Sequence, residues 1–135
     1  MKHFILALCT ALALGLPHAS SAQEADIRAV IEAQIEAFEA DDFDTAFTFA
    51  SPTIQRMFGT PERFGAMVKG GYPMVWRPGD LRFLALEERG GLLFQDVMVR
   101  DAEGALHILE YQMQQGDAGW KINGVNIRRA TAGTA

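Results

Sequence analysis

Three polar side chains in the back half of this sequence are of the types that acid–base chemistry needs: Asp96, His107 and Tyr111. Strand side chains alternate between the two faces of a sheet. In "ALHILEYQM" that alternation puts His107, Leu109, Tyr111 and Met113 on one face, with Leu106, Ile108, Glu110 and Gln112 on the other. In "LLFQDVMVR" the residues Phe94, Asp96, Met98 and Arg100 share a face. If that face meets the first, Asp96 and His107 become neighbours. A carboxylate beside an imidazole makes a general acid–base pair, and a tyrosine hydroxyl can donate to an oxyanion. The structural alternative is that His107 is a packed or hydrogen-bonded strand residue. A strand bulge would also change which residues share a face.

Other chemistries are excluded more firmly. Beyond residue 22 the chain has one histidine, His107, and no cysteine, so no structural zinc site and no three-histidine site can be built. "DAEG" and "DDFD" lack the alternation of a calcium loop, and "DDFD" reads as a helix-cap cluster. Phosphate-loop, dinucleotide and nucleophile-elbow motifs are missing. No metal and no cofactor are expected.

The stretch "GGYPMVWRP" (70–78) supplies a second set of residues. Gly70 is the expected helix stop, and Pro73 bars continuation. "MVWR" is long enough for a short edge strand, and Pro78 with Gly79 suits a type II turn. Tyr72, Trp76 and Arg77 then either pack a helix-to-sheet crossover or form the rim of a pocket. With His107, Tyr111 and Trp120 they make the expected ligand-lining set of Tyr72, Trp76, His107, Tyr111 and Trp120.

The elements that must position these residues divide by half. "EADIRAVIEAQIEAFEADD" (24–42) carries Ile27, Val30, Ile31, Ile35 and Phe38 at helical spacing. Asp41 or Asp42 can cap a second helix. Ser51–Pro52 and Thr60–Pro61 each pair an N-cap with a proline at the first helical position. Phe64, Met67 and Val68 form the inner face of the last of these, and Gly65 weakens it. Segments 80–88, 92–100, 105–115 and 119–129 read as strands. The short breaks between them require antiparallel neighbours. The fold class is therefore α+β, with N-terminal helices packed on a four-stranded antiparallel meander. Leu93, Val97, Val99, Leu106 and Ile108 fall opposite His107, and this apolar outer face invites a second copy or another exported protein.

Composition sets the setting. Residues 1–22 have a polar start, the apolar run "FILALCTALALGL" and the small-residue end "PHASSA", the pattern of a secretory signal cleaved after Ala22. The expected organisation is a signal peptide over 1–22, one domain over 23–130 and a flexible tail over 131–135. Export to the periplasm or the medium follows. With Lys2 removed, 11 basic residues remain against 17 acidic ones, a net charge of −6. Such a surface does not suit nucleic acid or anionic lipid. A chain without disulfides must fold on its apolar core.

The segments "DIRAVIEAQIEAF", "SPTIQRMFG", "RFGAMVKGGYPMVWRP" and "WKINGV" resemble a family of small exported bacterial proteins classed as a domain of unknown function. The resemblance covers about Asp26 to Arg128. The order of helices then meander is also similar to the nuclear-transport-factor-like, or polyketide-cyclase-like, α+β cone fold. That resemblance implies a curved sheet and a pocket between the helices and its concave face. A departure is "SPTIQRMFGT", which reads as helix where cone folds often place a strand or hairpin. The expected function is a non-catalytic exported module that binds a small apolar ligand or a protein partner. The alternative is a cofactor-free enzyme on a small apolar substrate using Asp96, His107 and Tyr111.

Overall fold

The computed structural model describes residues 21–130. Five helices come first: α1 (Ser21–Glu39), α2 (Phe43–Thr48), α3 (Pro52–Phe58), α4 (Pro61–Gly71) and α5 (Pro73–Trp76). Four strands follow: β1 (Leu81–Arg89), β2 (Leu92–Arg100), β3 (Leu106–Gly116) and β4 (Gly119–Arg129). The expected leader and tail lie outside the described residues, apart from Ser21 and Ala22, which form the first turn of α1.

The helix starts follow their caps. Asp42 accepts from the Thr45 N–H, Ser51 from that of Ile54 and Thr60 from that of Arg63, at 3.2, 3.3 and 3.2 Å. Each carboxylate or hydroxyl oxygen satisfies one N–H that the first helical turn leaves unpaired. Along α1, Ile27, Ile31, Ile35 and Phe38 are buried at helical spacing. They meet the sheet through one continuous core that includes Val97, Val99, Leu109, Met113 and Ile122.

The crossover differs from expectation in three ways. Gly70 does not stop α4; both glycines are helical and Tyr72 is the C-cap at φ −134°, ψ 52°. The stop belongs to Pro73, which disfavours helical geometry in the residue before it. "MVW" is then not an edge strand. The N–H groups of Val75, Trp76 and Arg77 are all used locally, on Tyr72 O, Tyr72 O and Pro73 O. Pro73 sits at the first turn of α5, where its missing N–H is not needed, and Met74 and Val75 are buried. The type II turn at Pro78–Gly79 is also not formed, because Gly79 lacks the positive φ it requires. Gly79 instead donates to Arg100 O at 2.9 Å and starts the pairing of β1 with β2. A Cβ there would lie 3.1 Å from that carbonyl oxygen, so glycine permits the close approach.

The sheet is the expected antiparallel meander, in the order β1-β2-β3-β4. Asp101 and Gly104 close the β2–β3 turn as expected, with Gly104 at φ 86° and its N–H on Asp101 O. Register decides the faces. β2 meets β3 as Leu93↔Met113, Gln95↔Tyr111, Val97↔Leu109 and Val99↔His107. Leu93, Val97 and Val99 therefore share the helix-covered face with the odd-numbered residues of β3. They are not on the outer face, where Leu106 and Ile108 lie with Phe94, Asp96 and Met98. Bulges interrupt the ladder between Phe83 and Leu86 and between Gln112 and Met113. The edge of β4 is met by the α2–α3 link: Ala50 forms an isolated parallel bridge with Ile122.

Gly65 has a packing reason inside α4. A Cβ at this position would fall 2.6 Å from Phe43 Cδ1 and 2.8 Å from its Cγ. Gly65→Ala gains about 1 kcal/mol of helix propensity. It should nonetheless lower the unfolding free energy by about 1–2 kcal/mol, because the Phe43 ring cannot swing clear without separating α2 from α4. Urea unfolding of the two proteins measures the sign; a more stable alanine variant would refute the packing account.

Candidate functional site

The expected acid–base set is not assembled. The register that pairs Val99 with His107 puts Asp96 opposite Glu110 on the outer face, away from His107. There Arg128 binds Asp96 at 3.0 Å and Glu110 at 3.7 Å, and Arg89 binds Glu110 at 2.8 Å. His107 is occupied elsewhere. Its Nε2 lies 2.7 Å from Asp101 Oδ2, at the β2–β3 turn. That contact, with the N–H groups of Ala105 and Glu103, holds the Asp101 carboxyl below the usual carboxylate range. The Asx turn built by Asp101 and the His107 contact are one structural unit.

Tyr111 is fully buried, and its hydroxyl has no partner. Burial pushes the phenol far above its ordinary value, so it stays protonated. The hydroxyl faces core residues and belongs to no cleft described below.

Trp76 and Arg77 form a latch. Trp76 Nε1 donates to Asp41 Oδ1 at 2.9 Å, and Arg77 donates to the same oxygen at 3.0 Å and to Phe38 O at 2.7 Å. The Arg77 guanidinium lies 4.2 Å from the centre of the Trp76 ring, with Lys69 Nζ 5.6 Å from it. Asp41 takes a left-handed conformation, φ 54°, that few non-glycine residues adopt. Together these contacts fasten α5 to the turn between α1 and α2. The Trp76 and Arg77 hydrogen bonds hold the Asp41 carboxyl below its ordinary value. Trp76 is thus spent on this latch and is not among the walls of the two clefts described below.

One cleft lies between α1, α3, α4 and β4, with a volume of about 270 Å³. Of the expected lining residues it contains Tyr72, whose hydroxyl donates to Val125 O at 3.2 Å. Its walls are otherwise Ile54, Met57 and Phe58 of α3, Phe64, Met67 and Val68 of α4, and Ile122 and Val125 of β4. Met57, 68% exposed, stands at its mouth. Gln34 of α1 lines it and is buried. No charged side chain does. Trp120 lines a different cleft of about 320 Å³, beside the β1–β2 and β3–β4 turns with Gln23, Glu88, Leu92 and Gln115.

The wall residues carried a signal in the sequence. Ile54, Met57 and Phe58 sit at i, i+3 and i+4, and so do Phe64, Met67 and Val68. The spacing marks an apolar face, but whether a neighbour fills that face is a tertiary property. Among the described residues no cluster of three or more His, Cys, Asp or Glu could hold a metal ion. No described helix is long and apolar enough to cross a membrane.

Residues 20–135 match the family described as "Domain of unknown function (DUF4864)". No curated protein matches the chain.

Two expectations follow from these geometries. Tyr111→Phe removes a buried hydroxyl that has no partner, so stability should stay level or rise by up to about 1 kcal/mol. His107→Ala cuts the contact to Asp101 and should lower the melting midpoint. Thermal melts of the two variants check both; a destabilised Tyr111→Phe would contradict the orphan hydroxyl. Acid should loosen the Asp41 latch. A carboxyl with a lowered folded pKa contributes stability above its unfolded value, and that contribution is lost as pH falls through the folded value. Stability should therefore fall below the ordinary carboxylate value of 3.8. Asp41→Asn should flatten part of that acid-side slope, the remainder belonging to Asp42 and Asp101, whose carboxyls are also held low.

Proposed function

The chain belongs to that family, and we propose that it is an exported binding module for a small apolar ligand, held in the cleft between α3, α4 and β4. The observation that carries this reading is the cleft itself. It is uncharged, walled by aliphatic and aromatic side chains, and open at Met57. Sites for small molecules are typically concave and apolar with a few polar groups, as here. Export is supported by the signal-like pattern of residues 1–22. A catalytic role for Asp96, His107 and Tyr111 has lost its geometric basis, since the three occupy the outer face, the β2–β3 turn and the core.

The kinship with the cone fold is part of the same proposal. Helices cover one face of a bulged meander, and the Ala50–Ile122 bridge stands where cone folds often place a strand. A second copy docking on the outer face is a second reading. It is favoured by Met98, Leu106 and Ile108, which lie on a face that no helix covers. Leu106, half-buried, is the position that tests it, because Val97 and Ile108 are both buried.

Native mass spectrometry of the exported protein decides among these. A retained small molecule that leaves on denaturation is expected. Ile54→Arg, which places a charge in the cleft wall at a half-buried position, should lose it while the variant stays folded. Retention by Ile54→Arg, or no uptake of any neutral aromatic probe by the wild type, would overturn the cleft reading. A dimer mass that Leu106→Asp abolishes at an unchanged melting midpoint would establish the outer face as an interface.

A further inference from the structure

Resting on that reading, the chemistry of the cleft narrows its ligand. Gln34 is buried and gives its amide N–H to Ala46 O at 3.1 Å. That bond orients the amide, since the flipped arrangement would set two carbonyl oxygens against each other. The Gln34 carbonyl oxygen accepts from no protein donor among the described residues. Nor is it one of the sealed, partnerless polar atoms, which are Arg28 Nε, Gln95 Oε1 and the Tyr111 hydroxyl. It therefore opens onto the cleft that Gln34 lines.

The other polar groups are spent or wet. The Tyr72 hydroxyl is committed to Val125 O, and Asn126 is exposed at the rim. An ionised ligand would be desolvated against apolar walls without a counter-charge, which is costly. Size is bounded too: an apolar cavity of about 150 Å³ takes benzene, and this cleft has about 270 Å³.

We propose that the cleft takes a neutral hydrophobe of bicyclic size that carries one N–H or O–H donor, and that the Gln34 carbonyl oxygen receives that donor. An amide oxygen can only accept. A ligand that lacks the donor leaves it unpaired in the complex, and one that brings a second acceptor is repelled.

The probes are indole and benzothiophene, which share a bicyclic shape and differ in the N–H. Their dissociation constants are measured on the full exported protein and on Gln34→Met by titration calorimetry. Benzothiophene is the more hydrophobic, so the quantity read is the ratio of the two constants. The wild type should favour indole by about tenfold more than Gln34→Met does. A ratio equal in the two proteins, with both probes bound, overturns the role of Gln34 and leaves the cleft reading standing. Binding of neither probe removes both. Should Gln34→Met fail to fold, the wild type alone still answers. The N–H proton of ¹⁵N-indole should move downfield and exchange more slowly on binding, and an unshifted proton in the bound probe overturns the proposal.

Discussion

Two main-chain hydrogen bonds at Ile122 join the helical half of this protein to the free edge of its sheet. Ile122 N donates to Phe49 O at 2.9 Å, and Ser51 N donates to Ile122 O at 2.8 Å. The link between α2 and α3 is thereby held as a strand one residue long. Ser51 adds three further functions with one buried side chain and its neighbour. Its hydroxyl caps α3 through Ile54 N, donates to Asn123 Oδ1 at 2.7 Å, and precedes the proline that opens the helix. Gln55 and Lys121 tie the same link from either side, on Phe47 O, Ala50 O and Thr48 O. An exposed strand edge is a template for unwanted pairing, and here the protein's own chain occupies it at Ile122. The cleft follows from the same joint. α3 is fixed at the edge of β4 rather than over the middle of the sheet, so its apolar face and that of α4 meet over a gap. Phe64 spans the inner end of that gap, with ring centres 5.8 Å from Phe38, 5.3 Å from Phe47 and 5.8 Å from Phe58.

How far the fold was legible depends on whether a feature is local. The caps at Asp42, Ser51 and Thr60 are local, and so are the four strands and the Asp101–Gly104 turn; all read correctly from residue types. The crossover misled because "MVWR" is short. Four residues between two prolines carry no period, and the choice fell to where the N–H groups of Val75, Trp76 and Arg77 find oxygens. The Tyr72 carbonyl oxygen, at the C-cap of the preceding helix, accepts from two of the three.

The site was less legible than the fold, and the reason is parity. A strand presents alternate residues to each face, so an offset of one residue between β2 and β3 exchanges their partners. Asp101 N bonds to Ala105 O at 2.8 Å and closes the turn so that Arg100 faces Leu106. Odd then pairs with odd. His107 meets Val99, and Asp96 meets Glu110 across the sheet from any helix. No composition or periodicity within either strand carries that offset. The same parity moved Val97 and Val99 from the outer face to the core. The cleft walls were legible as an apolar helical face but not as a cleft, since the unfilled volume depends on where Ser51 and Ile122 fix α3.

Gln34 and Gln95 set the same buried amide in two different surroundings. Both are buried glutamines, and both direct the amide N–H to main-chain oxygens. Gln95 donates to Leu84 O and Ala85 O, the carbonyls at the β1 bulge, and to Asp96 O. Its own oxygen is sealed beside Tyr111, its cross-strand partner, whose hydroxyl is equally unpaired. That pair stabilises an irregular ladder while leaving two polar atoms desolvated, which costs free energy. Gln34 does the same work for Ala46 O of α2. The difference lies in the surroundings of the remaining oxygen. Inside the sheet it is enclosed on every side. Beside α3, which the Ser51–Ile122 joint fixes at the sheet edge, it opens onto apolar space, where the donor of the proposed ligand would offset the desolvation that Gln95 cannot avoid.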